Sequence, residues 1–303
     1  MESGAIPLDA VAGAVDVQAT LESGQTYLWW RPDGDTYRTD GRSGGDAWYR
    51  TVVGDDVLEV RQTTDAVEWR ATTDAAPLVR TLLGLDDDLH EIRRATHTDD
   101  LTSAAWDAYD GLRIVRDPFF GCLVSFICSA QMRVERIFEM QERLRREYGT
   151  PIAFDGETVH GFPEPAALAA ASEQELRDLK LGYRAPYVQR TAEMVASGEL
   201  TERDVKGRGY ELARERLTGF VGVGDKVADC VLLFSLGYLE AIPLDTWMQT
   251  AIEDHYPDCD RGNYADTSRA FRERLGPYAG YTQTYLFHYL RSGGADGDDG
   301  ASA

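Results

Sequence analysis

Lys226 and Asp245 are the two side chains whose type and placement best suit covalent chemistry. Lys226 follows the glycine-rich turn Phe220-Val221-Gly222-Val223-Gly224-Asp225, and Asp245 comes nineteen residues later in Pro243-Leu244-Asp245. The chain has only three lysines, Lys180, Lys206 and Lys226. Its arginines stay protonated and cannot act as nucleophiles. An amine that opens a helix meets the positive end of the helix dipole, which disfavours an ammonium. Partial burial acts in the same direction, and a Schiff-base nucleophile needs the free amine. A solvated lysine at a helix start would look the same in sequence. Asp245 likewise suits a plain N-cap of the following helix, worth about 1 kcal/mol. A carboxylate facing the same cleft would also stabilise positive charge developing on a sugar ring, as carboxylates do in glycoside cleavage.

The turn itself has a function to offer. Glycines at 222 and 224 open backbone conformations closed to other residues and leave the amides uncovered. Amides at a helix N-terminus attract phosphate oxygens. With an amphipathic helix on each side, Gly222-Val223-Gly224 reads as a helix-hairpin-helix, which grips one DNA strand by its backbone without reading sequence.

Two regions must position these residues. From about Val15 to Thr72 the chain reads as strands, with Val57–Val60 and Val67–Arg70 as the clearest. Turns are expected at Pro32-Asp33-Gly34, Gly44-Gly45-Asp46 and Val53-Gly54-Asp55-Asp56. After Pro77 the periodicity becomes helical. It predicts Leu78–Leu83, Asp88–Ala95, Thr102–Tyr109, Pro118–Ala130, Val134–Tyr148, Pro165–Ala171, Glu173–Leu179, Pro186–Ala196, Tyr210–Gly219, Lys226–Leu236, Thr246–Tyr256, Thr267–Leu275 and Tyr281–Leu290. Ser172 with Glu175 forms a capping box. The order gives an α+β fold, a twisted antiparallel sheet domain packed on a mainly helical body. The expected division is 1–112 for the sheet domain with its following helices, 113–291 for the helical body and 292–303 for a disordered acidic tail.

Composition narrows the classes. The 303 residues carry 52 acids against 31 bases, a net charge of −21. So many acids with so few lysines match adaptation to molar salt, as in halophilic archaea. Such a chain gains little from counterion release on DNA, so shape, hydrogen bonds and stacking must supply most of any binding. Cys122, Cys128, Cys230 and Cys259 form no Cys-x-x-Cys pair, and the five histidines do not cluster. This argues against a zinc ribbon, an iron–sulfur cluster or a disulfide framework. No apolar stretch spans a bilayer and no secretory signal is visible, so the expectation is a cytoplasmic monomer without a membrane partner.

These residues resemble a known family. The run Gly222-Val223-Gly224-Asp225-Lys226-Val227-Ala228-Asp229-Cys230 with Pro243-Leu244-Asp245 is similar to the helix-hairpin-helix/Gly-Pro-Asp superfamily of DNA glycosylases. Within that superfamily it resembles the 8-oxoguanine DNA glycosylases with AP-lyase activity. Ser23-Gly24-Gln25-Thr26-Tyr27, Asp117-Pro118, Ser125-Phe126-Ile127-Cys128-Ser129, His160-Gly161-Phe162-Pro163, Leu181-Gly182-Tyr183-Arg184-Ala185 and Gly276-Pro277-Tyr278-Ala279-Gly280 extend the resemblance over about residues 9–290. It implies a partner, damaged double-stranded DNA, and no metal or redox cofactor. It also implies roles: Lys226 as nucleophile and Asp245 as the stabilising carboxylate. The Gly24 carbonyl would accept N7–H of the lesion, Cys230 and Phe287 would flank its faces, and Gln283 would bond its Watson–Crick edge. Arg136 and Arg184 would read the opposite cytosine, with Tyr183 as a wedge. Two positions depart from the family. Gln131-Met132-Arg133 replaces an asparagine cluster, leaving Gln131 to plug the gap of the flipped base. Trp247 stands where a histidine near the lesion phosphate is usual.

Three other classes compete on sequence. An alkylpurine glycosylase of the same fold would need only the aspartate. The endonuclease III branch would carry a C-terminal four-cysteine cluster. A non-catalytic helix-hairpin-helix clamp would leave Lys226 and Asp245 without a task.

Overall fold

The computed structural model describes residues 1–37, 47–130 and 132–292. The expected turn at Gly44-Gly45-Asp46, Gln131 and the tail from 293 lie outside the described residues.

The N-terminal part is a four-stranded antiparallel sheet. Strands β1 (Glu2–Pro7), β2 (Tyr49–Val53), β3 (Asp56–Gln62) and β4 (Ala66–Ala71) lie in the order β1-β4-β3-β2. The expected strands sit inside β3 and β4, and the Val53 turn is a hairpin with Val53 opposite Asp56. The Pro32 turn is also present, closed by Gly34 N–H donating to the Arg31 carbonyl.

The expected run of strands beginning at Val15 is corrected at two places. Residues Val17–Glu22 form a helix, α1, opened by the Asp16 carboxylate accepting from Ala19 N–H at 2.8 Å. Its sequence alternates apolar Val17, Ala19 and Leu21 with polar Gln18, Thr20 and Glu22, the period of a strand, yet all six residues are buried in the helix. The missed strand, β1, is rich in small residues of low β-propensity. It seats because the Trp69 ring lies across Gly4, where a Cβ would come within 2.6 Å.

Among the described residues thirteen α-helices follow: α2 (Ala76–Leu82), α3 (Leu89–Ala95), α4 (Asp100–Ala108), α5 (Phe119–Cys128), α6 (Val134–Tyr148), α7 (Pro165–Ala170), α8 (Glu173–Asp178), α9 (Ala185–Ser197), α10 (Tyr210–Leu217), α11 (Asp225–Phe234), α12 (Thr246–His255), α13 (Tyr264–Leu275) and α14 (Ala279–Arg291). Each overlaps its expected helix, and the capping box at Ser172 and Glu175 is formed. One element of the helical body went unexpected: the hairpin β5 (Pro151–Phe154) and β6 (Glu157–His160). Its Asp155-Gly156 turn has positive φ at both residues, the geometry that Asp-Gly favours in a two-residue loop. Val52 and Val57 of the sheet pack against Phe154 and Val159 of this hairpin.

The two parts share one hydrophobic core. Arg113 is fully buried and ties the N-terminal loops together by donating to the carbonyls of Ala12, Ala14, Gly84 and Asp87. Helix α14 is clamped on α4 by Trp106 stacked on Tyr285, with ring centroids 3.9 Å apart, and by Tyr285 Oη donating to the Leu112 carbonyl at 2.7 Å.

Candidate active site

A cleft of about 1160 Å³ opens between the N-terminal part and the helical body. Lys226, Asp245, Gly24, Cys230, Gln283, Phe287 and Gly224 all line it. They come from four separate stretches of chain: the loop after α1, α11 with its N-cap, the N-cap of α12, and α14.

Helices α10 and α11 flank the expected hairpin. Gly222 has φ of +84°, and a Cβ there would meet Tyr187 of α9 at 2.7 Å. Thr191 Oγ1 of α9 donates to the Val221 carbonyl at 3.0 Å. The turn is therefore seated on α9, with the Val223 side chain buried and Gly224 facing open space as the N-cap of α11.

Lys226 is half-buried in the first turn of α11. Its Nζ donates to Ser129 Oγ at 3.1 Å and lies 5.3 Å from the centre of the Phe126 ring. The Ser129 hydroxyl donates to the Phe126 carbonyl at 2.7 Å, so its oxygen meets the amine as an acceptor. Among the described residues no carboxylate pairs with Lys226. One turn on, burial pushes the Cys230 thiol up to about 12, against the opposing pull of the Lys226 charge. Cys230 therefore stays a neutral thiol and offers a soft apolar wall.

Asp245 caps α12, its carboxylate accepting from Met248 N–H at 2.9 Å. It is half-buried, and Trp247 beside it, 57% exposed, also lines the cleft.

Gly24 lies in the loop after α1 with φ of +94°. The buried Gln25 side chain pins that loop, donating to the carbonyls of Thr20 and Arg113 at 2.8 Å each and accepting from Val115 N–H at 2.9 Å. Across the cleft, α14 presents Gln283 and Phe287. Gln283 is buried, and its Oε1 has no hydrogen-bond partner among the described residues. A buried acceptor left open is costly and suits a donor arriving from solvent.

Tyr183, Arg136 and Arg184 lie away from the cleft lining. Tyr183 is exposed and Arg136 is exposed on α6. Arg184 is buried, its guanidinium donating to the Ala130 carbonyl and lying 4.3 Å from the Tyr183 ring centre. Gln131 is outside the described residues, but its neighbours Ser129, Ala130, Met132 and Arg133 line the cleft.

Several lining residues were missed by sequence reasoning. Ser129 belonged to a quoted motif but carried no assigned role. Arg291 donates to the Glu22 carbonyl at 3.2 Å, lies 5.3 Å from the Phe287 ring centre and crowds Gly24. Burial, reinforced by the Arg291 charge, holds His288 down at about 4, so its imidazole is neutral near pH 7. Nothing in the local sequence marks the last two.

The chemistry on offer is an amine and a carboxylate on one cleft, beside the glycine hairpin that opens α11. Comparison with known proteins agrees. Residues 124–277 match the family described as "HhH-GPD superfamily base excision DNA repair protein". Residues 7–123 match "8-oxoguanine DNA glycosylase, N-terminal domain". The chain belongs to the helix-hairpin-helix/Gly-Pro-Asp superfamily of base excision DNA repair proteins and, by its N-terminal part, to the 8-oxoguanine DNA glycosylase branch of it.

A "Probable N-glycosylase/DNA lyase" of Methanothermobacter thermautotrophicus is 36% identical over 211 residues, covering 62% of this chain and 66% of that one. The "N-glycosylase/DNA lyase OGG1" of Arabidopsis thaliana is 29% identical over 300 residues, covering 93% and 79%. The 8-oxoguanine glycosylase/lyase of Clostridium acetobutylicum, in complex with double-stranded DNA containing cytosine opposite 8-oxoG, superposes with a TM-score of 0.81. It is 26% identical, and the superposition covers 92% of this chain and 93% of that one.

Proposed function

We propose that the protein is a bifunctional DNA glycosylase and AP lyase that excises 8-oxoguanine from duplex DNA, preferentially opposite cytosine. The observation that carries this reading is the convergence of Lys226 and Asp245 on one cleft with Gly24, Cys230, Gln283 and Phe287. The two relatives are named as combined glycosylases and lyases, and the Clostridium complex has cytosine opposite the lesion; both support it.

The damaged nucleotide is flipped from the stack into the cleft. The Lys226 amine attacks C1′, and the bond to the base breaks with its electron pair leaving on the base. Asp245 stabilises the positive charge that develops on the sugar. Ring opening then gives a Schiff base between Nζ and C1′. Loss of a C2′ proton expels the 3′ phosphate by β-elimination, and water releases the lysine. Lesion choice follows from the pocket. The Gly24 carbonyl accepts N7–H of 8-oxoguanine, whereas guanine would set a second acceptor against it. That difference is worth about 1–3 kcal/mol. Gln283 Oε1 takes a donor from the Watson–Crick edge, and the base lies between Phe287 and Cys230. On the other strand, Arg136 and a released Arg184 donate to cytosine, with Tyr183 and Gln131 filling the opened step.

Borohydride trapping at molar salt, on duplexes with 8-oxoguanine opposite each base, tests the reading. A covalent band strongest opposite cytosine is expected. Lys226→Gln should lower base release by at least about 10³-fold and remove the band. Duplex binding with no band on any lesion would move the protein to a monofunctional or non-catalytic role.

A further inference from the structure

Asp229 is fully buried on α11, one turn after Lys226, and belongs to none of the surfaces described above. Its two carboxylate oxygens are both occupied. Oδ1 accepts from Tyr210 Oη of α10 at 2.7 Å, and Oδ2 accepts from Tyr264 Oη of α13 at 2.7 Å. The Tyr264 hydroxyl does a second thing: its oxygen accepts from the Leu244 backbone N–H at 3.1 Å. Leu244 is the residue before Asp245. A continuous chain of hydrogen bonds therefore runs from the helix that carries Lys226, through Asp229 and Tyr264, to the peptide that carries Asp245.

The directions are consistent. A tyrosine hydroxyl has one proton and spare lone pairs. The proton goes to the carboxylate at 2.7 Å rather than to the Ile242 carbonyl at 3.3 Å, a short charge-assisted bond, and a lone pair takes the Leu244 amide. In a dry interior such linked bonds reinforce each other. Leu244 is itself buried, so its N–H has no water to turn to. Tyr210 shares the carboxylate but, among the described residues, makes no hydrogen bond to the Pro243-Leu244-Asp245 segment. Arg214 and Arg272 lie against the tyrosine rings and add positive charge around the carboxylate.

We propose that Asp229 and Tyr264 are positioning residues that hold the Asp245 carboxylate in register with the Lys226 amine. Neither touches DNA. They act by fixing the Leu244 peptide to α11, so that the two groups facing the sugar move as one unit. This rests on the roles proposed above for Lys226 and Asp245.

The test compares two variants that remove one hydroxyl each from the same carboxylate. Tyr264→Phe and Tyr210→Phe each remove one bond to Asp229 and should lower the melting temperature, Tyr264→Phe by more because it also strips the buried Leu244 N–H of its acceptor. They should differ in chemistry. At saturating enzyme, single-turnover base release should fall about 10–100-fold in Tyr264→Phe and stay within about threefold of wild type in Tyr210→Phe. Duplex affinity should be unchanged in both. Asp229→Asn is the second variant: it weakens both tyrosine bonds and should slow base release more than Tyr210→Phe does. Hydrogen exchange at the Leu244 amide reads the tether without substrate, and it should quicken in Tyr264→Phe only. Equal slowing in the two tyrosine variants, or an unimpaired Tyr264→Phe, would overturn the proposal. An inactive wild type with the exchange pattern intact would instead overturn the assigned activity and leave the tether standing.

Discussion

Asp245 caps α12, and one substitution separates that cap from the charge stabilisation proposed for it. Asparagine caps a helix about as well as aspartate, so Asp245→Asn keeps the Met248 bond and loses only the charge. Its melting temperature should stay near wild type and its duplex affinity should hold. Base release should fall by about 10²-fold or more, since it loses charge stabilisation in the transition state. Equal loss of binding and rate would show that the carboxylate acts in the ground state. Gly24 is the other residue where geometry dictates the outcome. An L side chain at its positive φ costs about 1–2 kcal/mol, and a Cβ there would sit 3.0 Å from Arg291 Nη1. Gly24→Ala should turn the carbonyl away from the pocket and lower the preference for 8-oxoguanine over guanine, in kcat/KM, by about tenfold. A drop in stability with the preference intact would remove Gly24 from the reading.

At the scale of elements, the hairpin between α10 and α11 is the part that should act independently of the lesion. Gly222→Ala forces a Cβ into Tyr187 at a backbone angle that favours glycine. The turn should shift off α9 and weaken binding to damaged and undamaged duplexes alike, by about tenfold. Fluorescence anisotropy on both duplexes, with single-turnover rates at saturation, would separate this from a chemical defect. The helices were the most legible elements because their apolar residues recur at helical spacing over long runs, as in α6 and α11. The short α1 alternates apolar and polar residues at strand spacing and carries no helical period. The small-residue strand β1 is specified by the Trp69 ring across it, a contact far away in sequence.

For the whole molecule, the charge of −21 sets the response to salt. Single surface ion pairs contribute little, whereas the excess of acids repels itself throughout. Screening relieves that repulsion over distances beyond about 3 Å at 1 M salt. The melting temperature should therefore rise from low salt to molar salt, as scanning calorimetry would read. A flat or falling curve would show that the ion pairs outweigh the repulsion and would undercut the reading of a salt-adapted chain.

The chain by itself marked Lys226 as the proposed nucleophile and determined the capping carboxylate, the hairpin and the helical body, because each is a local signal of residue type and spacing. It also carried enough of Gly24, Gln283, Phe287 and Cys230 to name them through a family resemblance. Only the tertiary structure brought these four to one cleft with Lys226 and Asp245. It alone showed Ser129 accepting from the amine, Arg291 donating to the Glu22 carbonyl, and Arg184 committed to the Ala130 carbonyl. It alone joined Asp229 to Leu244 through Tyr264. Such contacts link residues tens to hundreds of positions apart, and no local periodicity encodes them. They arise from the burial of polar groups, which must find partners wherever the fold brings them.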